Sequence, residues 1–304
     1  MYRRYETHLS DAEIQFEIQK LVEKARNSKE VKVVRLQTNG AWLWRVAAAA
    51  VVVLGLGWWY FSTPRNTYDQ MVAGQPLIEK KNQTTTTQIM VLSDGNKVTL
   101  EPNARISFTK QFTTDKREVY LSGTAFFEVT KDAKRPFLVY ANELVTKVLG
   151  TKFTVKALDG GQETTVEVKE GKVSVFKNAN FQKNKEEAES NGLVVTTNQK
   201  IVFERETTQM VKTLRDVPEV VETASALPSF EFKNAPVSEV LVAIEEAYQV
   251  DIIFDKELLA DCPLTATLTD QPLYEKLSII CEAIEAHYQI IDGQIVVSSK
   301  GCKN

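Results

Sequence analysis

The chain has 304 residues, 43% hydrophobic and 25% charged, a balance that excludes wholesale disorder and low-complexity repeats. Its 37 Lys and Arg against 40 Asp and Glu leave a net charge of -3, so there is no overall basic footprint for nucleic acid. That length predicts two globular domains, each able to bury its own core. With only two histidines, His8 and His287, and no Cys-x-x-Cys spacing, neither a structural metal site nor a His-based catalytic unit is expected. Glycine-rich phosphate loops are missing too, so the reading is a non-enzyme without cofactor.

The first 40 residues form a short cytoplasmic segment. Ser10 and Glu13 make a capping box, and Ile14, Ile18, Leu21, Val22 and Ala25 then recur at helical spacing, which predicts one amphipathic helix over 11–27. One helix cannot bury its own stripe, so this face is expected to dock on membrane, a sister chain or a cytoplasmic partner. A solvated anchor tail is the plainer alternative.

Residues 41–61, AWLWRVAAAAVVVLGLGWWYF, carry one charge. At about 1.5 Å rise per residue they span about 31 Å as a helix, the thickness of a bilayer's hydrocarbon core. A transmembrane helix is predicted, with Trp42 and Trp44 at one interface, Trp58, Trp59 and Tyr60 at the other, and Arg45 snorkelling to the headgroups. Gly55 and Gly57 read as ordinary small residues of such a helix, or as points of easy unwinding. Five basic residues (Lys24, Arg26, Lys29, Lys32, Arg35) precede the span closely and only Arg65 follows within 18, which places the N-terminus in the cytoplasm. Residues 1–61 hold nine basic and six acidic side chains and the remainder 28 and 34, so the charge step follows the membrane.

Beyond the span, 62–87 reads as a tether rich in turn residues. From 88 to 205 short alternating segments (KVTLE, RISFT, REVYL, AFFEVT, PFLVYA, LVTKVLG, KFTVKA, TTVEVKE, KVSVFK, LVVTT, KIVFE) are punctuated by Asp94-Gly95, Asp159-Gly160-Gly161 and Glu170-Gly171. This predicts an all-β domain with a charged loop at 177–191. A second linker, 206–227, leads to a small α+β domain at 228–304. There Phe230 to Phe232 reads as a strand, and Asn234 caps a helix faced by Val237, Val240, Leu241, Ile244 and Tyr248. The pattern recurs 36 residues later with a helix faced by Leu273, Leu277, Ile280, Cys281 and Ile284, giving two βαβ-like repeats. The short strand Phe230, Glu231, Phe232 is a candidate edge for a partner strand, or packs against the β domain.

Both outer segments resemble a known family. SDGNKVTLEPNARISF, REVYLSGTAFFEV, Arg135-Pro136-Phe137, Val148-Leu149-Gly150-Thr151 and Glu170-Gly171-Lys172-Val173 follow in the order and spacing of the periplasmic domain of FecR transmembrane sigma-factor regulators. The last third resembles the C-terminal domain of the Bacteroidetes branch, itself similar to the short secretin/TonB signalling domain of outer-membrane receptors. In that branch a cysteine before the third strand and a C-terminal Gly-Cys recur, which implies a disulfide between Cys262 and Cys302; Cys281 falls on a buried helical stripe. The resemblance implies a single-pass inner-membrane protein with its bulk in the periplasm. Its partners would be the signalling domain of a TonB-dependent receptor outside and an extracytoplasmic-function sigma factor inside, with regulated proteolysis by an intramembrane protease as a route of transmission. Only about 40 residues precede the span here, fewer than the several-helix cytoplasmic domain common in that family. The alternative function is a membrane-tethered periplasmic binding or assembly module without sigma-factor control.

Overall fold

A computed structural model describes residues 11–26, 67–184, 191–221 and 229–302. Residues 1–64 and 65–304 form two units. In the first, one helix is described, α1 (Asp11–Arg26). The predicted span, with Trp42, Arg45, Gly55, Gly57, Trp58 and Trp59, lies outside the described residues, among which no helix is long and apolar enough to cross a membrane.

The second unit begins with α2 (Thr67–Val72) and β1 (Ile78–Lys81), followed by β2 (Gln88–Val91), β3 (Lys97–Leu100), β4 (Arg105–Phe108), β5 (Arg117–Glu128), β6 (Phe137–Ala141), β7 (Leu144–Val148), β8 (Lys152–Ala157), β9 (Glu163–Glu170) and β10 (Lys172–Lys177). Then come α3 (Asn178–Lys183), β11 (Leu193–Thr196), β12 (Gln199–Glu204) and β13 (Gln209–Leu214). The tether expected at 62–87 is thus largely structured. Tyr68 explains why: its ring is fully buried, its hydroxyl lies 2.6 Å from Ser107 Oγ and donates to Glu79, and the Arg105 guanidinium sits 4.2 Å from the ring centroid. Burial raises the phenol to about 12.

β5 organises the domain. Its first half pairs with β4 (antiparallel) and β6 (parallel), and its second half with β3 and β8, so one 12-residue strand belongs to two sheets. One sheet runs β1-β4-β5-β6-β7-β10-β11 and the other β2-β3-β5-β8-β9-β12-β13. The sequence reading divided this strand at Ser122-Gly123. The chain instead crosses between sheets there, at Gly123 with φ +100, and a Cβ at that point would lie 2.6 Å from Ala104 Cα.

The inner faces of both sheets meet in one core that includes Val98, Ile106, Leu121, Phe127, Phe137, Phe153, Val166 and Ile201. Phe127 stacks on Phe153 at 5.1 Å. The run FLVYA is buried at every position because a second cluster (Leu138, Tyr140, Val145, Phe176, Phe181) covers the opposite face of β6 and β7. Arg117, 2% exposed, ties the β2–β3 turn to the start of β5: Nε donates to Arg135 O at 2.9 Å and Nη1 lies 3.5 Å from Asp94.

After 229 come β14 (Glu231–Pro236), α4 (Val237–Tyr248), β15 (Ile252–Ile253), α5 (Lys256–Ala260), β16 (Pro263–Thr267), α6 (Leu273–Ala283), β17 (His287–Ile291) and β18 (Gln294–Ser298). The stripes of α4 and α6 form a second core with Phe230, Ile295 and Leu214. Two departures from the sequence reading occur here. Asn234 does not cap α4; it sits in a bulge of β14 with φ +51, its N–H held by Thr265 Oγ1, and Pro236 is the N-cap. The two βαβ-like repeats also do not close: β14 pairs with β16, while β15, β18 and β17 form another sheet, so the strands flanking each long helix separate.

Candidate binding surfaces

The junction between the β domain and the C-terminal module is built on a two-residue turn. Asn198 adopts φ +61, a left-handed conformation that asparagine tolerates, and is 1% exposed. Its Nδ2 donates to Glu219 O and Tyr248 O, both at 2.7 Å, while Oδ1 accepts from Glu219 N at 2.9 Å and from Arg215 Nη1. Gln199 beside it donates to Gly293 O at 2.9 Å, and Tyr274 of α6 donates to Arg215 O at 2.7 Å. Leu214, at the end of β13, is buried in the second core. The stretch expected as a linker therefore acts over 209–221 as a splint between modules. Lys169 and Arg215 clamp Glu219, and the Lys169 hydrogen bond is the main cause of its lowered carboxyl pKa.

Beside this splint lies a cleft of about 1090 Å³. Lys152, Lys169 and Lys172 line it from the β domain, and Glu245, Gln249 and Asp251 from the module. The walls carry both signs of charge, and Glu170 on the β-domain side accepts a hydrogen bond from Lys152 at 2.6 Å. No group of His, Cys, Asp or Glu among the described residues is placed to hold a metal ion.

The edge residues occupy three different environments. Phe230 is a core residue, its ring 6.2 Å from Tyr248 and beneath Lys276 Nζ at 4.2 Å, while its carbonyl accepts Leu268 N–H. Phe232 is half-buried and Glu231 exposed. Lys276 is itself 1% exposed, bonds to Leu268 O, and burial lowers its ammonium pKa. Sequence reasoning did not find Lys276 or Asn198; the sole signal for Asn198 was an asparagine between two strands. On α1, Ile18, Leu21 and Val22 are exposed, whereas the Ile14 side chain lies outside what is described.

A disulfide joins Cys262 to Cys302 across 40 residues of sequence, with Cα atoms 5.4 Å apart. Loop-closure entropy for that length predicts a loss of up to about 4 kcal/mol in Cys302→Ser. A lower midpoint of the single transition in which the module and the β domain unfold together is the expected calorimetric result. Cys281 is free and buried, and burial pushes its thiol up to about 11 from 9.0, which leaves about a hundredfold less thiolate at neutral pH. Iodoacetamide should therefore modify Cys281 at least tenfold more slowly in the native chain than in urea, as followed by intact mass.

Two family models match this chain: FecR protein at residues 82–174 and FecR, C-terminal at residues 229–297. No curated protein matches it significantly. Two crystal structures of a candidate anti-sigma factor from Parabacteroides distasonis are similar to it, each with 25% sequence identity and a TM-score of 0.41, covering 74% of this chain and 100% of that one.

Proposed function

We propose that this chain, which carries FecR and FecR C-terminal segments in that order, is a single-pass inner-membrane regulator of the anti-sigma type. It relays a signal from a TonB-dependent outer-membrane transporter to an extracytoplasmic-function sigma factor. The observation that carries this reading is the pair of family matches at 82–174 and 229–297, following a predicted span with positive charge on its N-terminal side.

In this reading the receptor's signalling domain docks on the C-terminal module, where β14, paired only with β16 among the described residues, offers backbone groups for strand addition. The Asn198 junction makes the module and β domain move together, so docking is felt at the chain leading to the membrane. Inside, the exposed Ile18, Leu21 and Val22 of α1 grip the sigma factor, and intramembrane proteolysis ends the relay. The mixed-charge cleft supports the second reading, a tethered binding or assembly module.

Deleting residues 228–304 from the full chain separates the two. Loss of inducer response at a sigma-dependent reporter is the expected result, and an unchanged response would contradict the relay.

A further inference from the structure

Residues 82–93, NQTTTTQIMVLS, contain no charge, proline or glycine. They form the approach to β2 and β2 itself, which pairs with β3 on one side and with no other strand among the described residues. Proteins usually protect such an edge with charge, proline or a bulge. The edge strand β1 carries Glu79, Lys80 and Lys81 and the edge strand β13 carries Lys212, whereas β2 has no such guard, nor has the edge strand β11, in which the most exposed residue is Val194 at 44%.

Its geometry is fixed in advance. Asn82 is fully buried, donates to Thr86 O and Leu100 O, and accepts from Thr84, so the loop entering β2 is held open to one side. Leu92 N–H donates to Asn96 O, which sets the antiparallel alternation: Gln88 and Met90 turn their backbone groups to β3, and Ile89 and Val91 turn theirs outward. Ile89 and Val91, two apart and so on one face of the strand, are 70% and 62% exposed.

We infer that β2 is a self-association edge whose occupant is β2 of a second copy of this chain, antiparallel about a two-fold axis at Met90. The pattern is self-complementary. Ile89 faces Val91 of the second copy and exchanges two backbone hydrogen bonds with it, Val91 does the same with Ile89, and the two Met90 residues face each other as the non-bonded pair. No charge opposes a like charge, because Lys97, next to Val91, comes nearest to Thr99 of the second copy in this register. The two seven-stranded sheets become one continuous sheet across the axis. A single strand pair buries little area, so the contact is weak in solution and strengthened by the local concentration that the proposed anchoring provides.

The non-bonded pair brings opposing Cα atoms to about 4.5 Å, close enough for a disulfide. The test is Met90→Cys in the full chain, in membranes, oxidised with copper phenanthroline and run unreduced. A covalent homodimer is expected, reduced at least tenfold when Ile89→Lys is added and missing from Lys97→Cys. Sedimentation of the unmodified chain in detergent should show a monomer–dimer equilibrium that Ile89→Lys shifts at least tenfold towards monomer. The proposal is overturned by a Met90→Cys chain that gives no homodimer, by cross-linking indifferent to Ile89→Lys, or by an adduct with a different protein in place of the homodimer.

Discussion

Gly123→Ala is expected to destabilise the β domain by about 3 to 5 kcal/mol, a large part of the roughly 5 to 15 kcal/mol that holds an ordinary domain folded. Two costs add. The new Cβ would lie 2.6 Å from Ala104 Cα and 2.8 Å from its Cβ, and Ala104 is fully buried and cannot retreat. The backbone also holds φ +100 there, a region that a side chain disfavours by about 1 to 3 kcal/mol. Chemical denaturation followed by tryptophan-independent far-ultraviolet dichroism measures the loss. A Gly95→Ala control, whose Cβ would meet no heavy atom within 4 Å but whose φ is +83, isolates the backbone contribution and should cost much less.

Asn198→Ala is expected to turn one cooperative unit into two. The substitution strips partners from Glu219 N, Glu219 O and Tyr248 O in a site that water scarcely reaches, at about 1 to 3 kcal/mol for each group left unpaired. Calorimetry should then show the module at 229–302 melting separately, and limited proteolysis should open 206–227. Asn198→Asp is the sharper probe. It keeps the size and the Oδ1 bonds but sets a carboxylate oxygen against two carbonyl oxygens now 2.7 Å from a donor, so it should uncouple the modules as fully as alanine does. If signal passes from module to membrane through this junction, both variants retain receptor binding and lose reporter output.

Most strands were legible because alternation is a local property. KFTVKA at 152–157 and KVSVFK at 172–177 show their burial pattern in their own residue order, whereas the Asp-Gly turn at 94–95 marked a tight turn while β2, the strand before it, was not among the segments read as strands. What escaped depends on distant partners. Tyr68 reads as part of a polar tether until Ser107 and Glu79 are brought beside it. Gly123 reads as a strand break because nothing local shows that Ala104 passes behind it. The splint at 209–221 contains TLRDVPE, which resembles any linker, and only Asn198 and Tyr274, 59 residues beyond Arg215, give it fixed partners. Asn234 has the composition of a cap, yet the bulge in β14 moves the helix start to Pro236. The binding surfaces were least legible, since strand edges recognise a partner through backbone groups that every residue carries. The uncharged run at 82–93 stands out only once β2 is known to be an edge.

The decisive measurement is affinity of the full chain in detergent for an extracytoplasmic-function sigma factor of the same genome, compared with its Leu21→Glu and Val22→Glu variants. A stable complex that either variant weakens at least tenfold, with the outer domains folded as before, is the predicted result. No complex, or one that ignores both substitutions, would contradict regulation of a sigma factor through this helix.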